Sequence, residues 1–343
     1  MNETIKNRSE ILFIYDIRDG NPNGDPLDEN KPRMDEETGV NLVTDVRLKR
    51  TIRDFLYDFK GEEIFIREIK DDSGNIQTAK KRAMDFLKDE TVDIKDHSFE
   101  QQRKIISDRI LANCIDVRLF GATIPLEIKV KKPAKKTESD KDNNKEKDEK
   151  GSLTFTGPVQ FKIGRSLHRV SMKHFRGKGA FASDDKSTRA TFREEDFLPY
   201  SLILFYGIIN ENAAKHTGLT EDDVKLLLDG IWNGTKSLIS RSKAGQVPRL
   251  LLKVNYSKEN YHIGDLDKMM KLVTEMPHEN IRDTIDYQLD ISELVKKLAA
   301  EKGSIKDIEI CVDGRIKFCK EGAGFPIEGL AAATDIVIKP IAF

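Results

Sequence analysis

Four aspartates, Asp16, Asp19, Asp25 and Asp28, crowd the passage from an apolar run into the loop DGNPNGDPLDENKPR, residues 19–33. Carboxylates so placed could hold a hard cation. The first six loop residues satisfy the opening of the calcium-loop pattern D-x-[DN]-x-[DN]-G. That pattern needs a bidentate glutamate at its twelfth position, which here is Asn30, with Glu29 one residue early. Pro22 and Pro26 stiffen the loop and a strand precedes it, so calcium is set aside. The alternative reading is a magnesium-dependent endoribonuclease, in which carboxylates of Asp19–Asp28 and a substrate phosphate share the ion. Against it, Asn-Pro, Asn-Gly and Asp-Pro pairs are turn formers that fix a tight loop by themselves, and no His or Glu stands at a defined spacing. The loop is expected to hold its own shape, with no catalytic residue, metal or cofactor assigned.

Cations gather in three places. In TDVRLKRTIRDFLYDF, residues 44–59, helical spacing sets Arg50 and Arg53 opposite a stripe of Leu48, Ile52, Phe55 and Phe59. Arg47 and Lys49 flank the stripe, and Thr44 can cap the start. Four cations beside a helix start favour phosphate contacts. In residues 157–192, a strand carrying Gln160, Arg165, Ser166 and His168 runs into Arg169, Lys173, His174, Arg176 and Lys178. Phe175, Phe181, Gly177 and Gly179 interrupt that run. Such a mixture supplies charge for phosphates and flat faces for splayed bases. In SRSKAGQVPR, residues 240–249, Arg241 and Lys243 follow a helix end, where cations also suit the dipole, and Gly245 permits close backbone approach. Jointly the three suggest an RNA-holding surface.

The elements that must position these residues are legible in outline. EILFIYDI, residues 10–17, reads as a buried strand. Helices are expected over residues 44–59, after Ser98 with its capping partner Gln101, and after Thr220 with Asp223. Further strands are expected at LTFTGPVQFKI, VPRLLLKVNY and IEICVDGRIKF, the last as a hairpin turning at Asp313-Gly314. Strands and helices alternate irregularly, so the class is α+β. Residues 131–150 contain no large apolar side chain and mix both charge signs, which marks a disordered insertion within a domain.

With 343 residues, 58 Lys plus Arg and 59 Asp plus Glu, net charge points to no polyanion; only its distribution does. Three cysteines without C-x-x-C spacing fit reduced thiols. No apolar run reaches membrane-span length, and a soluble cytoplasmic protein is expected.

The ordered series NPNGDP, RMDEETGVNLVTDVRLKRTIRDFL, RLFGAT, GPVQFKIGRSLHRV, LFYGIIN and SRSKAGQVPRLLLKV resembles the Cas-seven family, in its Csh-type form. Members of that family are the backbone subunits of type I-B CRISPR Cascade surveillance complexes. The resemblance spans nearly the whole chain except residues 131–150. It implies a single RRM-like, ferredoxin-type palm over residues 1–343 with inserted fingers, a thumb-like hairpin at residues 171–192, and a helical filament of copies along crRNA. By resemblance, Arg47, Lys49, Arg50 and Arg53 inherit the grip on guide phosphates, and Gln160 to His168 form the palm strand beneath the guide. Target DNA, reached through the guide, and the large, Cas-five and Cas-six type subunits are the implied partners. The chain lacks the aromatic RNP signature of RRM domains, so backbone holding is expected rather than base stacking. Type III relatives cut RNA with a loop aspartate, which makes Asp25 the residue to watch.

Overall fold

Ile11, Phe13, Tyr15 and Ile17 alternate with Leu12, Ile14 and Asp16 along strand β1 (Ser9–Gly20), and every one is buried. Alternation sends them to opposite faces, so this strand has both faces covered and lies inside a sheet. The computed structural model describes residues 3–70, 73–87, 97–131, 146–182 and 190–343; within these, the side chains of residues 129–131, 146–147, 178–182 and 190–193 are left out. The chain divides into two units, Met1–Ile5, Leu56–Val159 and Glu211–Val224 forming one, and Lys6–Phe55, Gln160–Asn210 and Lys225–Phe343 the other.

The larger unit is built on the sheet containing β1. Its further elements are β2 (Val40–Val43), most of α1 (Asp45–Lys60), β3 (Gly164–Arg169), β4 (Lys173–Ala182), β5 (Ala190–Ile209), most of α2 (Glu221–Lys236), β6 (Val247–Tyr256) and β7 (Ile305–Val312). Across the sheet the order runs Ile338–Pro340, β7, β6, β1, β5, β3, β2, with Met34–Asp35 at the far edge and β4 paired to the outer half of β5. Phe13 of β1 stands opposite Phe205 of β5 and Leu251 of β6, all antiparallel.

One face carries Leu12, Ile14, Tyr200, Leu202, Leu204, Tyr206, Leu250, Leu252, Val254 and Tyr256. That face is buried under C-terminal residues including Leu266, Ile281, Leu289, Leu294, Leu298 and Leu330. Tyr15, on the opposite face, has Arg47 of α1 beside it. There α1 and α2 meet closely: a Cβ on Gly230 would stand 2.9 Å from Ile52 Cγ2, and one on Gly234 3.0 Å from Phe55 Cβ. Only glycine fits this crossing without displacing a neighbour.

Two buried carboxylates within this core are matched. Glu10, fully buried, accepts from the Tyr206 and Tyr256 hydroxyls and from the backbone N–H of Ile263 (3.0 Å) and Gly264 (2.9 Å). Asp16 accepts from Tyr200 Oη (2.8 Å) and Arg249 (2.7 Å).

The smaller unit has a long hairpin, Gly121–Lys131 with Glu146–Thr156, in unbroken register from Gly121 opposite Thr156 to Lys131 opposite Glu146. Ile124, Leu126 and Leu153 pack with Ile106 and Ile110 of helix Phe99–Asn113. That helix starts at the expected Ser98–Gln101 capping box. The Thr220–Asp223 box also forms, and Asp223 additionally receives Arg118 at 2.7 Å. Of the charged insertion expected at residues 131–150, Lys131 and residues 146–150 are in strands, and residues 132–145 lie outside the described residues.

Strand VPRLLLKVNY appears with the expected bounds, and α1 spans Asp45–Lys60 against an expected 44–59. The hairpin at Asp313-Gly314 does not form. β7 pairs with β6 and Ile338–Pro340, whereas Phe318–Lys320 joins Gln288–Asp290 and Ala323–Phe325 in a separate sheet. Asp313 is held by Arg249 (2.9 Å) and Arg315 (2.8 Å), which turns the chain away at that point. Among the described residues, no helix is long and apolar enough to cross a membrane.

Candidate nucleic-acid interface

Thr44 Oγ1 accepts from Arg47 N (3.3 Å) at the start of α1, while Thr44 N and Oγ1 both donate to Asn23 Oδ1 (2.8 and 2.9 Å). The opening loop is thereby tied to the helix start. Inside the loop Asp25 accepts from Leu27 N (3.1 Å) and pairs with Arg33 (2.9 Å), Asp28 pairs with Lys31 (2.8 Å), and Asn21 Nδ2 donates to Asn30 O (2.6 Å). The loop residues are spent on the loop's own shape, as its turn chemistry predicts.

Beside this helix start two cations share one neighbourhood. Arg47 is half-buried and forms no ion pair among the described residues; burial first, and Arg50 second, lower its pKa. Lys243, in the loop after α2, donates to Ser242 Oγ (3.3 Å), and its pKa is lowered by burial and then by Arg47. Two half-buried positive groups that disfavour each other are stabilised by an anion between them.

Most of the remaining expected cations are paired among the described residues. Lys49 bonds Asp45 (3.1 Å) and Gln160 (3.2 Å), and Arg50 pairs with Asp54 (2.7 Å). On β3, Arg165 pairs with Asp35 (3.1 Å) and Arg169 with Glu279 (3.1 Å). Three successive acids at the base of the β4–β5 hairpin are engaged: Arg176 pairs with Glu194 (2.8 Å), Arg241 pairs with Glu195 (3.0 Å), and His174 Nδ1 hydrogen-bonds Asp196 (3.0 Å). Phe175 is exposed and stacks on Phe197 with centroids 5.1 Å apart.

A family model described as CRISPR-associated protein Cas7 matches residues 7–292. The chain belongs to the Cas7 family. A CRISPR-associated protein Cas7 of Haloferax volcanii is 33% identical over 334 residues, covering 92% of this chain and 89% of the relative. Two chains of solved structures also align. One, titled CRISPR RNA-guided surveillance complex, pre-nicking, has a TM-score of 0.48 at 12% identity, covering 95% of this chain and 100% of that one. The other, titled CRISPR RNA-guided surveillance complex, has a TM-score of 0.47 at 11% identity, covering 95% and 99%.

Several expected positions in this Cas7-family chain are corrected. Arg53, read as projecting from a cationic face, is 8% exposed, while Phe59, read as part of the apolar stripe, is 64% exposed. Ser166 and His168 are buried because alternate residues of β3 point inward. Ser166 Oγ accepts from Asn41 N (2.8 Å) and donates to His168 O (2.6 Å). His168 Nε2 accepts from Leu202 N (3.3 Å), which leaves Nδ1 to donate to Arg169 O (2.8 Å). Gln160 and Lys173 are exposed, and the side chain of Lys178 falls outside the described residues. The acids Glu194 to Asp196 escaped the sequence reading, although EED stands opposite HFR in the hairpin and that opposition was the available signal.

Burial outweighs its backbone hydrogen bonds and pushes the His168 pKa down to about 4. The folded chain therefore prefers neutral imidazole, and below about pH 6.5 the unfolded chain takes up a proton that the fold refuses. Stability from this group is intact above pH 6.5 and falls by about 3 kcal/mol towards pH 4. Denaturation midpoints at pH 7 and pH 4.5 should therefore differ less in His168→Gln than in the unmodified protein.

Proposed function

We propose that this chain is a non-enzymatic, crRNA-binding scaffold subunit of a type I CRISPR Cascade complex, of the I-B form, which polymerises along the guide and presents it for pairing with target DNA. The single observation carrying the reading is the half-buried pair Arg47 and Lys243, set at the start of α1, neither of which forms an ion pair among the described residues. A backbone phosphate supplies the missing anion. Thr44, Lys49, Arg50, Gln160, Arg165, Arg169, Lys173, Arg176, Lys178 and Arg241 extend the contact surface. For most of the described cations in that set, RNA phosphates replace carboxylates that hold them in the free chain. Arg53, Ser166 and His168 belong to the support beneath it.

An RRM-like palm is supported by the order β6, β1, β5, β3, taken up by elements that follow one another as β1, α1, β3, β5, α2, β6. That is the 4-1-3-2 pattern of a ferredoxin-type sheet with two crossing helices on one face. The β4–β5 hairpin is the thumb of this reading. Further copies of the chain and the large, Cas-five and Cas-six type subunits are its protein partners. The endoribonuclease reading gains no support from Asp25, whose carboxylate is engaged by Arg33 and Leu27 N.

The test is binding to unrelated single-stranded RNAs across a salt series. Affinity should be nearly the same for each sequence and fall steeply with salt, with a log–log slope of about −0.7 per phosphate contacted. Tight binding to one sequence with a flat salt response would overturn the reading.

A further inference from the structure

The opening loop touches both elements that carry the half-buried cations. At one end, Asn23 Oδ1 accepts from Thr44 N (2.8 Å) and Thr44 Oγ1 (2.9 Å), just ahead of Arg47 on α1. At the other, Asn21 N donates to the backbone oxygen of Ser242 (2.8 Å), the residue next to Lys243. Ser242 Oγ in turn accepts from Lys243 Nζ (3.3 Å). Between the two anchors Pro22 is buried, and its ring fixes φ, so the span is short and stiff. The returning limb of the loop braces it from behind: Asn21 Nδ2 donates to Asn30 O (2.6 Å) and Arg33 N to Asn23 O (3.2 Å). Gly20 allows the close approach. A Cβ there would stand 2.8 Å from Ser242 O and would overlap the Ile17 side chain, and a backbone oxygen yields far less readily than the end of a side chain.

We propose that residues 20–23 are a positioning strap, which ties the start of α1 to the loop after α2 and so holds Arg47 and Lys243 side by side. Two like charges at half-buried positions repel each other, so without an anion something else must keep them together. The hydrogen bonds from Asn21 N to Ser242 and from Thr44 to Asn23 do this. Each residue of the strap has a part that its chemistry suits. Gly20 removes the side chain that would push Ser242 away, Pro22 stiffens the span, and Asn23 offers one oxygen to two donors on a short stem. Cations gathered beforehand meet a phosphate without the ordering cost that binding otherwise bears. That benefit rests on the proposed RNA reading, whereas the strap itself is a property of the free chain.

The test takes Gly20→Ala and Asn23→Ala, one at each end of the strap, in the full chain, so that a variant failing to fold by circular dichroism leaves the other in hand. Without RNA, the Lys243 side chain is titrated by ¹³C NMR at Cε, its signal identified through Lys243→Met. Burial first, and Arg47 second, hold its pKa below the ordinary lysine range. In both variants it is expected to rise towards that range as the two cations part. With unrelated single-stranded RNAs, each variant should bind about tenfold more weakly, the loss of one charge-assisted contact, with a log–log salt slope flatter by about 0.7. Adding Lys243→Met to Asn23→Ala should then cost about twofold or less, against about tenfold in the unmodified chain. A Lys243 titration that stays in place in both variants refutes the strap, and so does a Lys243→Met penalty of about tenfold with and without Asn23. A lowered denaturation midpoint as the only change refutes it too, since that marks a purely structural loop. A titration that moves in both variants, while Lys243→Met leaves RNA binding unchanged, upholds the strap and refutes the phosphate site instead.

Discussion

Replacing Arg47 and Lys243 together by glutamate is expected to weaken RNA binding about a hundredfold at 0.1 M salt. Each cation contributes a charge-assisted phosphate contact worth about 1.5–3 kcal/mol, and two such losses near the lower limit give that factor. Losing two contacts should also flatten the log–log salt slope by about 1.4. Because both side chains are half-buried, a glutamate could disturb packing, so Arg47→Met with Lys243→Met is the matched control. It keeps the apolar stems while removing the charges. Fluorescence anisotropy against salt, with circular dichroism to verify folding, measures both. A double variant that binds RNA as tightly as the unmodified chain, with an unchanged salt slope, would remove the proposed phosphate site.

Glu10→Leu is expected to cost about 4 kcal/mol of stability in the sheet-containing unit, read from urea denaturation. The substitution keeps an apolar volume in place but strips four donors of their acceptor: the hydroxyls of Tyr206 and Tyr256 and the backbone N–H of Ile263 and Gly264. Each buried donor left alone costs about 1–3 kcal/mol, reduced where relaxation admits water. Burial, followed by the Glu10 carboxylate, holds both tyrosine pKa values far above the ordinary phenol range, so neither hydroxyl can give up its proton to escape the penalty. Glu10→Gln retains one oxygen and should recover about half of the loss. Faster amide exchange at Ile263 and Gly264 in Glu10→Leu would locate the damage.

Local signals were readable. Thr44, Ser98 with Gln101, and Thr220 with Asp223 start their helices because capping depends on residues three positions apart, and the β6 strand follows from its own apolar run. What could not be read depends on partners remote in sequence. Arg47 and Lys243 become one pair only when α1 and the loop after α2 are brought together. Ser166 and His168 look like surface residues of a basic strand until the fold covers that face of β3, where His168 stacks on Tyr200 and meets the edge of His278. Arg53 follows the same logic on a helix, where the width of the buried stripe is set by what packs against it. Asp313-Gly314 has hairpin chemistry, yet Arg249 competes for the aspartate and the two strands join different sheets.

The aromatic residues on the central sheet have one more implication. Tyr200, Tyr206 and Tyr256 sit where an RNA-reading sheet would offer a shelf for nucleobases, yet the C-terminal segment roofs them over. Under the proposed function, a guide's letters find no reader on that shelf. A scaffold illiterate in this sense can carry any spacer its host acquires, with nothing in this part of its fold to be rewritten when the invader changes.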